Sequence, residues 1–168
     1  SRKGRYKKMR FCFVILHYNT IEETRECVKS IKELNEKKVK IIIVDNASCN
    51  RTGEVLKEEY KNDKDIDVLM NSSNEGFARG NNLGYRYAKE KYHPEFIIVT
   101  NNDVIFFQKE FTNLLEKEYE KNNFYILGPD VLDITKTKHH SPINDAGPTL
   151  YWAKFWLKCL KNIYLRQE

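Results

Sequence analysis

Uninterrupted apolar stretches alternate along this chain with stretches in which apolar positions recur every three or four residues. Arg10–Leu16, Lys40–Val44 and the shorter Ile66–Met70 are of the first kind. Short continuous runs rich in β-branched residues predict strands covered on both faces. Phe96–Val104, just after Pro94, is the run around which the rest is organised, because Phe-Ile-Ile-Val leads directly into Thr100, Asn101, Asn102 and Asp103. Between the runs the spacing is helical. Thr20 and Glu23 form a capping-box pattern ahead of Cys27, Val28, Ile31 and Leu34, which predicts a helix to about Asn35. A second helix is expected over Asn50–Lys61 with Val55, Leu56 and Tyr60 inward. A third covers Phe77–Tyr92 with Ala78, Tyr85 and Ala88 on one side, and a fourth carries Phe111, Leu114, Leu115 and Tyr119. Phe124–Leu127 predicts a fifth strand.

This rhythm of strand and helix over residues 10–128 implies an α/β fold, a mostly parallel sheet with helices on both faces. After Gly128-Pro129 the rhythm fails. Residues 130–148 read as a long loop or short irregular strands, and Tyr151–Arg166 as a last, amphipathic helix with Trp152, Phe155, Trp156, Cys159, Leu160 and Ile163 along one stripe. That stripe, beside Lys154, Lys158 and Lys161, suits either an interfacial helix on anionic lipid or packing against protein.

A chain of 168 residues suits one domain with a sizeable core. Charge changes the picture only at the start. Residues 1–10 carry six of the basic side chains and no acid, so the other 158 sum to −1. Residues 1–9 therefore read as a basic tail or appended segment, with Met9 a candidate initiator. A nucleic-acid-binding face is not indicated, and nucleic acid is not an expected partner. Cys12, Cys27, Cys49 and Cys159 have neither C-x-x-C spacing nor paired histidines, which fits buried free thiols in a reducing, cytoplasmic compartment. No apolar run is long enough to span a bilayer.

The candidate chemistry lies where the strands stop. The first ends in His17-Tyr18-Asn19, the second in Asp45-Asn46-Ala47-Ser48, the third in a loop with Asn74 and Gly76, the fourth at Asp103. In a parallel sheet these termini share one edge, where open α/β sheets bind ligands, so Asn19, Asp45, Asn74 and Asp103 are expected in one crevice. Asp45 is suited to accept hydrogen bonds from a ribose hydroxyl or a base N–H, and also to cap the next helix. Helix-start N–H groups from Asn74 to Asn82, together with Arg79, suit a diphosphate. Asp103, flanked by amides, offers oxygen ligands for Mg²⁺ or Mn²⁺, although a polar turn capping the next helix has the same composition. There is no G-x-G-x-x-G after the first strand and no G-K-[ST], which excludes a Rossmann dehydrogenase and a P-loop enzyme.

His17-Tyr18-Asn19, Val44-Asp45-Asn46-Ala47-Ser48, the Asn74-to-Asn82 motif and Thr100-Asn101-Asn102-Asp103 together resemble family 2 glycosyltransferases, most closely the rhamnosyltransferase-like branch. The resemblance covers roughly residues 10–135. It implies a GT-A fold over those residues that binds a nucleotide-sugar, with residues 136–168 beginning an acceptor-binding half. Asn19, Asp45, Asn74, Gly76, Arg79, Asn82 and Asn102 are the implied nucleotide-sugar contacts. Asp103 is the implied metal ligand, joined by Asn101, which replaces the first acid of the family's D-x-D motif; Asn102 stands where the branch often has proline. The implied reaction is inverting transfer from a dTDP-, UDP- or GDP-sugar to a saccharide or lipid-linked acceptor, in surface polysaccharide synthesis at the inner face of the cell membrane. The competing expectations are a nucleotide-sugar-binding module that needs a partner chain and, last, a nucleotidyltransferase. The family's catalytic base lies in an acidic motif of the acceptor half. None of Glu110, Glu116, Glu118, Glu120, Asp130, Asp133, Asp145 and Glu168 stands in such a motif, so donor binding with little or no transfer is expected of this chain alone.

Overall fold

The computed structural model describes residues 9–36, 38–129 and 131–132. The basic tail before Met9 and the helix expected at Tyr151–Arg166 lie outside them. The chain divides into two compact units, residues 1–117 and 118–168, and the strands among the described residues belong to the first.

Four strands, β1 (Phe11–His17), β2 (Val39–Asp45), β3 (Ile66–Met70) and β4 (Phe96–Asn101), form one parallel sheet in the order β3-β2-β1-β4. The helices are α1 (Ile21–Lys32), α2 (Thr52–Glu59), α3 (Gly76–Tyr92) and α4 (Phe111–Asn122). The two central strands are buried almost throughout because both faces are covered. Their odd-numbered residues Phe11, Phe13, Ile15, Val39, Ile41 and Ile43 pack with Cys27, Val28 and Ile31 of α1, Leu56 of α2 and Phe111 of α4. The even-numbered Cys12, Val14, Ile42 and Val44 face Ala88 and Tyr87 of α3 on the other side. The period-2 alternation of a strand thus feeds two separate cores.

From β3 at one margin the chain crosses under the sheet as α3 and enters β4 beyond β1. Gly84 lets α3 lie close: a methyl there would meet Val14 and stand 2.8 Å from Val44 Cγ2. The inward face of α3 is Gly80, Gly84 and Ala88, with Asn81 also buried. The expected face of Ala78, Tyr85 and Ala88 is therefore corrected. Ala78 is exposed, because contact with the sheet goes to the residues without bulk.

Other expectations are corrected too. Among the described residues β4 is an edge strand, not one buried on both faces: Val99 is 42% exposed, and the strand stops at Asn101. Thr20 makes no capping bond to α1, which ends at Lys32. α2 starts at Thr52, and Val55 faces outward. On α4, Leu114 and Tyr119 are exposed, while Phe111 and Leu115 pack on the core. Phe124–Leu127 is not a strand, and Tyr125, Ile126 and Leu127 are exposed. Among the described residues no partner strand flanks it, and without a ladder an apolar run has no strand to join.

Candidate functional site

The strand order reverses at β1: the chain steps outward through β2 and β3, then returns to β4 on the other side. Open α/β sheets bind ligands in the crevice outside the carboxyl ends of the strands at such a point. Register sets what meets there, since His17 pairs with Asp45, and Leu16 with Asn101.

The loop after β2 curls back on its own aspartate. Ala47 has φ +60°, a left-handed turn that costs a side-chain-bearing residue about 1–2 kcal/mol. The turn brings the Ser48 N–H to 3.3 Å from both Asp45 carboxylate oxygens and the Ser48 hydroxyl to 2.5 Å from Oδ1. Asp45 is 1% exposed. Asn19, also left-handed at φ +64°, donates its backbone N–H to Ser48 Oγ at 2.9 Å. Its side-chain Oδ1 accepts the Cys49 N–H at 3.0 Å, and its carbonyl accepts from Asn50 Nδ2 at 2.8 Å. Asn19 and Asp45 are thus brought together through Ser48, and much of their polar capacity is spent on shaping the loop.

Asn46, 4% exposed, ties this loop to the one after β3. Its Nδ2 donates to Asn74 Oδ1 at 2.9 Å, while its Oδ1 accepts from Asn71 Nδ2 at 3.2 Å and from the Glu75 N–H at 3.3 Å. Asn74 Oδ1 also accepts the Gly76 N–H at 3.0 Å. Gly76 opens α3 at φ +78°, where a side chain would be strained. Two N–H groups at the start of α3 are therefore taken. The N–H groups of the first turn that follow are those a helix start can offer to an anion. Arg79 is exposed and Asn82 half-buried, its carbonyl accepting from Arg86 Nε at 3.4 Å.

On the far side of the crevice, Asn102 Nδ2 donates to Thr20 Oγ1 at 2.7 Å, and to Thr20 O and Thr24 Oγ1 at 3.1 Å each. Asn102 thus anchors the β4 loop to the start of α1, which explains why Thr20 is not free to cap. The Cys27 thiol supports the Asn101 carbonyl at 3.8 Å. Asn101 and Asp103 stand exposed at the rim. No cluster of three or more His, Cys, Asp or Glu occurs among the described residues. One open carboxylate with a neighbouring amide oxygen still fits Mg²⁺ or Mn²⁺, which keep several waters and take substrate phosphate oxygens rather than a full protein cage.

Beneath the crevice lies His17, with no exposed surface. Its Nδ1 is 2.7 Å from Thr24 Oγ1, its Nε2 2.9 Å from Thr52 Oγ1 and 3.9 Å from Asp45 Oδ1. Burial lowers the pKa of the ring, against the pull of Asp45 and Glu23. Burial likewise pushes the Cys12 and Cys27 thiols up to about 12.

Four residues of this region carry no role in the sequence reading. His17 and Asn46 lie inside quoted motifs, yet nothing in a sequence marks them as buried hubs. Gly53 is buried because its α-carbon lies against the Asp45 carboxylate: a methyl there would stand 2.8 Å from Oδ1 and nearer still to Cγ and Oδ2. Asn81, 8% exposed, has no partner among the described residues for either side-chain atom. The helical period puts it on the flank of α3 away from β3, since Tyr87, on the opposite flank of the Gly80–Gly84 line, bonds Asp67 of β3 at 2.9 Å.

A family model described as glycosyl transferase family 2 matches residues 12–162. The dTDP-rhamnosyl transferase RfbF of Shigella flexneri is 31% identical over 130 residues, covering 77% of this chain and 41% of that protein. The glycosyltransferase GlyG of Streptococcus pneumoniae is 28% identical over 115 residues, covering 68% and 37%. This chain thus spans about two fifths of the curated relatives it matches. Among solved structures, the mannosyltransferase PcManGT of Pyrobaculum calidifontis, in complex with GDP-Man and Mn²⁺, superposes with a TM-score of 0.57 at 19% identity, over 68% of this chain and 33% of that one. S. aureus TarS 1-349 in complex with UDP-GlcNAc gives 0.57 at 19%, over 68% and 32%. The fold is the α/β fold of these GT-A enzymes.

Proposed function

Since this chain belongs to glycosyl transferase family 2, we propose that it binds a nucleotide-diphospho-sugar across the carboxyl edge of its sheet and takes part in inverting transfer of the sugar to a saccharide or lipid-linked acceptor. The observation that carries this reading is the switch-point crevice, where loops from all four strands are cross-linked by amides and hydroxyls around Asp45 and Asp103. The nucleoside lies over the Asn19–Ser48–Asp45 turn. The diphosphate lies between the first turn of α3, with Arg79 beside it, and the β4 loop. Asp103 and Asn101 would hold a divalent cation, which when bound neutralises charge on the leaving diphosphate.

In transfer, an acceptor hydroxyl oxygen bonds to the anomeric carbon while that carbon's bond to the diphosphate breaks on the opposite face. The hydroxyl proton passes to a carboxylate base. The described acids after Asp103 are Glu110, Glu116 and two more on α4, and Glu116 is engaged by Arg10. We assign the base to an acid outside the described residues, Asp130 and Asp133 included, or to a partner chain, and take residues 10–135 as the donor-binding part.

The name of the Shigella relative favours a dTDP-deoxysugar over UDP- and GDP-hexoses. Buried free thiols suit the cytoplasm, and an acceptor held on lipid would be met at the inner face of the membrane. No helix among the described residues is long and apolar enough to cross a membrane. Calorimetry with dTDP, UDP and GDP, in Mn²⁺ and in EDTA, tests the reading. Metal-dependent binding that Asp103→Ala removes while the fold persists is expected. Equal affinity in Mn²⁺ and EDTA would refute the metal role, and no binding of any of the three would refute the donor site.

A further inference from the structure

We propose that His17 is a positioning residue that sets the two halves of the donor site against each other through one directional chain of hydrogen bonds. The proposal rests on the donor reading above.

The polarity of the chain follows from proton counting. An amide nitrogen only donates: of the two Asn102 Nδ2 protons one goes to Thr20 Oγ1 at 2.7 Å, and the other lies between Thr24 Oγ1 and the Thr20 carbonyl, each at 3.1 Å, so toward Asn102 the Thr24 oxygen can only accept. The single Thr24 hydroxyl proton has two acceptors in reach, the Thr20 carbonyl at 3.1 Å and His17 Nδ1 at 2.7 Å, and it takes the nearer. Nδ1 is then the acceptor of a neutral ring, and the ring proton sits on Nε2. Nε2–H donates to Thr52 Oγ1 at 2.9 Å, whose own proton goes to Asn50 Oδ1 at 2.7 Å. Asn50 Nδ2 closes the run on the Asn19 carbonyl at 2.8 Å. Five bonds thus point one way, from the loop that carries Asp103 to the turn that carries Asn19 and Ser48. The imidazole is the only link in this run with two acceptor-or-donor atoms far enough apart to touch both α1 and α2.

Burial makes the two bonds of the His17 ring the costly ones to lose, since a ring nitrogen left unpaired there keeps no water contact, whereas the Asn50 bonds are exposed. The charged groups facing the ring are Asp45 from β2 and Glu23 from α1, and burial outweighs both in holding it neutral. The neutral ring is the state that this polarity needs. A protonated ring would present a second N–H to Thr24 and turn that hydroxyl to the Thr20 carbonyl.

The two halves can be cut separately. In His17→Asn the amide occupies the place of Nδ1 and keeps the Thr24 side; in His17→Gln it occupies the place of Nε2 and keeps the Thr52 side. The probes are dTMP and UMP, which report the nucleoside half, and the gain in affinity on passing to dTDP or UDP with Mn²⁺, which reports the diphosphate half. His17→Gln is expected to bind the monophosphates as wild type does and to lose most of the metal-dependent gain. His17→Asn is expected to do the reverse. Each loss is up to roughly tenfold, the effect of one hydrogen bond. Where a ring variant does not fold, Thr24→Val and Thr52→Val cut the same chain on either side and are expected to split in the same way.

Parallel losses for both probes in every variant, tracking the fall in melting temperature, would overturn the relay and leave His17 a packing residue. Wild-type protein that binds none of the four nucleotides, nor GMP or GDP, would overturn the donor reading, and the relay with it.

Discussion

Replacing Gly53 by alanine perturbs Asp45 without touching it. The added methyl would stand 2.8 Å from Oδ1 and closer to the rest of the carboxylate, where ordinary contact begins at 3.4 Å. Asp45 cannot swing clear easily, being 1% exposed and held by Ser48 and the edge of β2. Overpacking of this kind costs about 1–3 kcal/mol, offset by about 0.5–1 kcal/mol that alanine gains over glycine inside a helix. The net loss of stability is therefore about 0–2.5 kcal/mol, a fall of a few degrees in melting temperature. Binding should suffer more. A carboxylate pushed off its geometry forfeits charge-assisted hydrogen bonds worth about 1.5–3 kcal/mol, or roughly 10- to 100-fold in nucleotide affinity. Calorimetry with dTDP and UDP, beside a melting curve, measures both. If Gly53→Ala binds nucleotide as tightly as wild type and melts no lower, α2 does not wedge the carboxylate and the reasoning fails.

Asn81→Leu removes a buried amide that has no partner among the described residues; it should raise the melting temperature by a few degrees and weaken binding of the nucleoside diphosphate, and a lowered melting temperature would count against a ligand role. At Asp67, burial by itself would raise the pKa, but hydrogen bonds from Lys40, Tyr92, Tyr87 and Lys91 bring it down to about 2. The group therefore lends about 2 kcal/mol that is fully present above pH 4 and lost as pH falls towards 2, and Asp67→Asn should flatten that part of the acid denaturation curve. Of the three described cysteines, Cys49 is exposed whereas Cys12 and Cys27 are buried with pKa values pushed up to about 12; mass spectrometry after iodoacetamide at pH 8 should find Cys49 alkylated first, with the other two reacting only on unfolding.

The central strands were legible in the sequence because their signal is two-sided burial, which leaves an apolar run nothing else to be. Arg10–Leu16 and Lys40–Val44 differ from β1 and β2 by one residue at each end, and Ile66–Met70 coincides with β3. β4 misled for the opposite reason. Phe-Ile-Ile-Val looks the same whether a strand has neighbours on both sides or one, and sheet position is decided by partners far along the chain. The inward face of α3 was hidden because periodicity counts large apolar residues, whereas close packing there chose Gly80 and Gly84. Thr20 and Glu23 fit a local rule that a residue 82 positions away overrides, Asn102 taking the Thr20 hydroxyl. The gathering of polar strand ends could be read from topology alone. Which of those side chains face a ligand and which, like Asn46 and His17, hold the loops could not, because both tasks use the same short amides, hydroxyls and imidazoles.

The sheet order also fixes when the crevice comes into being. Of the four strands of this sheet β1 leaves the ribosome first, and it acquires β2 within about thirty residues, but its other neighbour pairs Phe96 with Phe11, 85 residues apart. A chain growing at about 5–20 residues per second spends several seconds with one flank of β1 bare. During that interval the Asp45 turn has its strands, while the loop that holds Asn102 has not yet been made. The nucleoside half is therefore the older part of the molecule in every round of synthesis, and the metal-facing rim is the part added when the sheet closes.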